Sequence, residues 1–101
     1  MKVRYTETAL AEIDEICSRI ERDNPTAAAD IAAAIERTVA RIAKRSKSAP
    51  IVYKGKVQAK LVERFQYRIF YDVEAREVII RNVRSTKRLR PWEREGGSID
   101  A

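Results

Sequence analysis

Apolar residues recur along this chain with two different periods, and the change of period separates its parts. In "KVRYT", Val3 and Tyr5 alternate with Lys2 and Arg4, the pattern of a strand with one buried face. Beyond Thr6 or Thr8, either of which can cap a helix, Leu10, Ile13, Ile16, Cys17 and Ile20 return at steps of three and four, while Glu12, Asp14, Glu15, Arg19 and Glu21 fill the opposite face. "RDNP" ends that helix and begins another, because Pro25 is disfavoured inside a helix but suits its first position, with Asn24 as the cap. The second helix, "TAAADIAAAIERTVARIAKRS", sets Ile31, Ile35, Val39 and Ile42 on one line, and its alanines keep the flanks slim enough for close packing.

The period then falls to two. "KSAPIVYKGK", punctuated by Pro50 and Gly55, reads as a connection, and "VQAKLVERF", "YRIFYDV" and "EVIIRNV" read as strands. In the middle strand Tyr67, Ile69, Tyr71 and Val73 share a face opposite Arg68, Phe70 and Asp72. The short link "EAR" makes the last two strands an antiparallel hairpin. The order strand, helix, helix, strand, strand, strand predicts an α+β fold in which the N-terminal strand and a helical hairpin pack on a C-terminal antiparallel three-stranded meander. With 101 residues the chain makes one domain, 1–95, and residues 96–101 form a frayed tail.

Hydrophobic residues at 45% and charged residues at 36% belong to an ordinary globular protein rather than a disordered one. No apolar run approaches the roughly 18 residues of a membrane span, and "MKVRYTETAL" lacks a signal peptide's apolar stretch, so a cytoplasmic location without a membrane partner is expected. The net charge of +6 is uneven: residues 1–50 hold nine Lys/Arg against eight Asp/Glu, and residues 51–101 hold twelve against seven. The basic second half suits a nucleic acid or an acidic protein partner. Lys44, Arg45 and Lys47, near the C-terminus of the second helix, read most simply as cations at the negative end of its dipole.

The absence of histidine excludes Ser/His/Asp and Cys/His catalysis and the usual zinc sites, and a single cysteine forms no internal disulfide. Cys17 reads as a small core hydrophobe rather than a nucleophile. Arginine stays protonated and serves only to stabilise negative charge, so a general base must come from carboxylates, lysines or tyrosines. Lys60, near Arg64 and Arg68, is the lysine whose pKa neighbouring cations could lower, although its plainer reading is an edge-strand lysine that discourages aggregation. The glycines form no phosphate-cradling loop and no carboxylate pair has glycosidase or two-metal spacing, so neither cofactor nor metal is expected.

"VIIRNVRSTKRLRPW" begins as a core strand and ends in charge. Val78, Ile79, Ile80 and Val83 belong to the core, and Arg81, Arg84, Lys87, Arg88 and Arg90 follow among Leu89, Pro91 and Trp92. A tryptophan beside arginines has the composition of an interface anchor, and the same residue can fold back as a lid on the core.

With these elements in this order, the sequence resembles the RelE/ParE superfamily of bacterial type II toxins, and within it the ParE branch. The resemblance runs from "VRYTETALAEIDEI" through "YRIFYDV" to "VIIRNVRSTKRLRPW", and its most specific part is Tyr67, Arg68, Ile69, Phe70 and Tyr71. It implies a toxin neutralised by a cognate antitoxin with an acidic or amphipathic segment, and a ParE-like action on DNA gyrase through Arg84, Lys87, Arg88, Leu89, Arg90, Pro91 and Trp92, with no catalytic residue. DNA is then contacted only indirectly, through the antitoxin. The alternative it implies is a RelE-like endoribonuclease cutting messenger RNA on the ribosome, with Lys60, Arg68 and Arg88 at the phosphate. Where the nuclease type has a catalytic tyrosine this chain has Arg94, and where many relatives carry a histidine it has Ser85, departures that favour the gyrase-directed reading. A third reading is a weakly toxic partner in a complex that represses its own genes.

Overall fold

Seven elements follow one another in the computed structural model, which describes residues 1–47, 49–88 and 90–93. They are β1 (Lys2–Tyr5), α1 (Glu7–Asp23), α2 (Pro25–Lys44), β2 (Ile51–Tyr53), β3 (Val57–Leu61), β4 (Tyr67–Glu74) and β5 (Glu77–Ser85). The strands form one sheet in the order β1-β5-β4-β3-β2, antiparallel throughout except that β1 lies parallel to β5. The α+β class, the helical hairpin and the meander are as expected from the sequence. One element is added: the segment read as a connection contains β2, a three-residue edge strand whose "IVY" suits a pleated surface and which the flanking Pro50 and Gly55 hide from pattern reading. The tail 96–101 lies outside the described residues.

The caps sit where sequence chemistry puts them. Thr6 Oγ1 accepts from the Ala9 amide at 3.0 Å and donates to the Arg81 carbonyl at 3.0 Å, so the start of α1 is tied to β5 as well as capped. Asn24 closes α1 through its own amide, 2.8 Å from the Ile20 carbonyl, and opens α2 by accepting from the Ala27 amide at 3.1 Å, with Pro25 in the first turn. The α1 stripe differs from the expected one in its first turn: Ala9 is buried, whereas Leu10, on the flank of the stripe, is 53% exposed.

The sheet has two differently furnished faces. Towards the helices, Ile69, Tyr71, Val78, Ile80 and Val83 meet Ile16, Ile31, Ile35, Val39 and Ile42 in the main core. On the outer face Val57, Ala59 and Phe70 form a second, small cluster under Val52, Tyr53 and Trp92. Ile80 and Val83 are an odd number of residues apart and still share a face, because the pairing passes from Phe70↔Asn82 to Tyr71↔Ile80 and leaves Arg81 as the extra residue of a bulge.

Between β4 and β5 the turn residues Ala75 and Arg76 have φ of 48° and 63°, the signature of a type I′ turn that Asn-Gly suits far better. Replacing them together, Ala75→Asn with Arg76→Gly, should raise stability by about 1 kcal/mol, seen as an increase of several degrees in Tm. An unchanged or lower Tm would show that the turn is not strained.

Tyr71 is buried, and its hydroxyl donates to the Ser46 carbonyl at 2.8 Å; Gln58 Nε2 donates to the same carbonyl at 2.6 Å and to that of Ala49 at 3.0 Å, so the loop after α2 is pinned from beneath. Burial raises the pKa of Tyr71, and burial followed by the charge of Glu36 raises that of Tyr5, both from 10.0. A phenol whose folded pKa lies above its unfolded value adds stability that is intact below the unfolded value and lost as pH rises through the folded one. Stability should therefore fall above about pH 10, and urea midpoints for the parent chain and Tyr71→Phe should converge there.

Candidate functional site

β1 stops opposite Ile80, so the second half of β5 would present a bare edge. Glu12 of α1 fills it. Its carboxylate accepts from the Val83 amide at 3.0 Å, from Asn82 Nδ2 at 3.1 Å and from Arg84 Nε at 2.9 Å, which replaces a missing strand with a side chain and neutralises Arg84 at the same time. The carboxylate is largely buried, so these contacts are worth more than a solvated ion pair. Arg19 Nη2 donates to the Tyr67 hydroxyl at 3.2 Å, and these two line a narrow cleft with Glu12, Glu15, Arg84 and Arg88.

Beyond β5 the chain turns sharply. The Thr86 amide donates to the Gln66 carbonyl at 2.8 Å, the Lys87 amide to Ser85 Oγ at 3.2 Å, and the Arg88 amide to the Ser85 carbonyl at 3.1 Å. Ser85 is thus a turn-forming residue, and Lys87 and Arg88 are displayed on an exposed corner by backbone that is fixed. Leu89 and Arg94 lie outside the described residues.

Of the two positions open to Trp92, the structure gives it that of the lid. Its ring stacks on Tyr53 with centroids 4.3 Å apart and meets Phe70 edge-on at 5.5 Å, half-burying it on the outer face with Pro91 beside it. Arg90 lies 5.8 Å from the Trp92 ring centre and 3.8 Å from Glu93. The last part of the basic run is therefore held against the sheet.

Lys60, Arg68 and Arg88 are not brought together. Lys60 pairs with Ile69, a helix-side position, and its neighbours are Arg41, Lys44 and Arg45 of α2. Arg68 pairs with Leu61 and Arg84 on the opposite face. Arg88 lines the cleft beside α1 with Glu12, Arg19 and Tyr67, and Arg84, the cross-strand partner of Arg68, turns its guanidinium to Glu12. Cys17 packs at the edge of the core, where burial first, then the charges of Asp14 and Glu21, push its thiol pKa up and away from reactivity.

Three contributors escaped the sequence reading: Glu12, Arg19 and Tyr67, whose alignment beside β5 depends on how α1 crosses the sheet. Another is Asp72, fully buried on the outer face, where Arg81 grips it through Nε at 2.9 Å and Nη2 at 3.1 Å and Lys56 approaches to 3.3 Å. Among the described residues no group of side chains is arranged to hold a metal ion, and no helix is long and apolar enough to cross a membrane.

A helical hairpin on one face of a five-stranded sheet, with a cationic corner beyond the last strand, is a small α+β fold. Residues 3–90 match the family described as the ParE toxin of type II toxin-antitoxin system, parDE, and the chain belongs to that family. Among solved structures it is similar to one described as the chromosomal ParDE TA system from P. aeruginosa, with a TM-score of 0.75 and 19% identity over 84% of this chain and 95% of that one. No match is found among curated proteins.

Proposed function

We propose that this ParE-family toxin acts on DNA gyrase by binding rather than by chemistry, and that a cognate antitoxin with an acidic or amphipathic segment neutralises it. The observation that carries the reading is the dispersal of Lys60, Arg68 and Arg88 over separate surfaces. Cleaving a phosphodiester needs groups held within hydrogen-bond reach of one phosphate, and Lys60 and Arg68 stand on opposite faces of the sheet. The corner that displays Lys87 and Arg88 is instead the form of a protein contact: charges on fixed backbone, with an aromatic residue securing the chain beyond them.

The test adds the purified protein to DNA gyrase with relaxed and supercoiled plasmid, and in parallel to a translating extract whose messenger RNA ends are mapped. Loss of supercoiling or trapped cleaved DNA with intact messenger is expected. Codon-periodic messenger cuts with gyrase unaffected would replace this reading by the endoribonuclease one.

A further inference from the structure

The sheet edge opposite the basic corner carries a second cationic surface that the gyrase reading does not use. Along α2, Arg37, Arg41 and Lys44 recur at four- and three-residue steps, which places them on one flank of the helix, beside the apolar face that packs on the sheet, and Arg45 follows as the C-cap. Across from this flank Lys60 of β3 faces the depression lined by Arg41, Lys44 and Arg45, and Arg64 of the β3–β4 turn faces a second one lined by Arg37, Asp30, Ala33 and Phe65. β2 pairs only as far as Gln58, so the β3 edge beside Lys60 has no strand over it.

We propose that this flank binds the sugar–phosphate backbone of double-stranded DNA, making the toxin itself a DNA-contacting protein. Lys44 and Lys60 have no ion-pair partner among the described residues, and Glu63, bonded to Arg41 at 3.0 Å, is the carboxylate interposed among the cations, with Asp30 at the far end. Glu63 also reports the local field: its carboxyl is held below the usual range by the Arg41 hydrogen bond first, then by the charges of Arg41, Arg64 and Arg37. From Arg37 to Arg45 the helix rises about 12 Å, and a DNA strand presents a phosphate about every 3.4 Å of its axis, so the line spans roughly three or four phosphates.

The lining selects the occupant. An amphipathic acidic peptide needs apolar anchors, and the depression between α2 and Lys60 is lined by four cations with no apolar side chain among them. A single strand needs aromatic platforms for its bases, and the aromatic residue nearby, Phe65, packs against the core. Cations without base-reading groups suit duplex backbone, bound without sequence preference. The choice of DNA over duplex RNA rests on the gyrase reading, while the flank as a duplex-binding surface does not.

The test measures binding of the full chain, without gyrase, to fluorescent 30-bp duplexes of DNA and of RNA and to single strands of each, between 50 and 200 mM salt. With about five phosphate contacts, affinity for duplex DNA should fall by about 500-fold over that range. Lys44→Glu with Lys60→Glu should weaken binding more than about tenfold and flatten the salt slope by about two; Lys44→Gln with Lys60→Gln serves if the charge reversals disturb folding. Glu63→Gln should tighten binding, whereas Lys87→Glu with Arg88→Glu should weaken it much less than the Lys44/Lys60 reversal and leave the contact-dependent salt slope nearly as steep. Preference for RNA or single strands, displacement by poly-glutamate at equal charge, or sensitivity to the Lys87/Arg88 pair instead of the Lys44/Lys60 pair would each overturn the proposal. The absence of gyrase from the assay keeps its failure distinct from failure of the gyrase reading.

Discussion

Replacing Asp72 by asparagine is expected to lower the free energy of unfolding by about 3 kcal/mol. The side chain is fully buried, and its charge is matched by a two-pronged contact from Arg81 and by Lys56. Asparagine keeps the shape and removes the charge, leaving Arg81 to the longer 3.5 Å contact with Glu74. Arg81 is 36% exposed and water relieves part of that cost, which sets the figure at the lower end of the range for breaking a buried pair. For a domain whose total stability is of the order of 5–15 kcal/mol, this is a drop in Tm of roughly 12–24 °C. Urea unfolding measures it directly. A loss below about 1 kcal/mol would put the cluster in the class of surface ion pairs.

Reversing the exposed corner, Lys87→Glu with Arg88→Glu, should weaken gyrase inhibition by about 100-fold, equivalent to about 2.7 kcal/mol, with Tm within about two degrees of the parent. Both side chains are exposed, and their amides are held by Ser85 whichever side chain is present, so the fold loses nothing with the charge. Arg68→Ala serves as the contrast: Arg68 lies within β4, opposite Arg84 on the outer face rather than in the turn that displays Lys87 and Arg88, and should leave inhibition almost intact. Trp92→Ala should fall between the two, because it frees the chain behind the corner from Tyr53 and Phe70 without touching the charges. Inhibition lost in Arg68→Ala and kept in the double reversal would turn the site inside out. The variants must be compared with circular dichroism in hand, since Trp92 also shields the small outer core.

What pattern reading recovered and what it missed divide along the range of the interaction. Thr6, Asn24 and Pro25 act on backbone groups within a few residues, so their roles were legible before any fold was known. The apolar lines of α2 and the alternation in β4 were legible for the same reason. Leu10 was misplaced because periodicity assigns a flank without knowing where the sheet beneath it ends. β2 was missed because a three-residue strand exists only by virtue of the strand it pairs with.

The sequence by itself determined the two helices and their caps, the three main strands, the basic second half and the absence of histidine chemistry. Only the tertiary structure decided the site. Glu12 reaches Val83 and Arg84 across about seventy residues of chain; the bulge at Arg81 turns that side chain onto Asp72 and restores Val83 to the core; and the register of β3 on β4 sets Lys60 and Arg68 on opposite faces while bringing Lys60 up to the α2 cations. Local propensities are summed over neighbours along the chain, whereas the placing of charges against one another depends on strand order and register, which no short window of sequence contains.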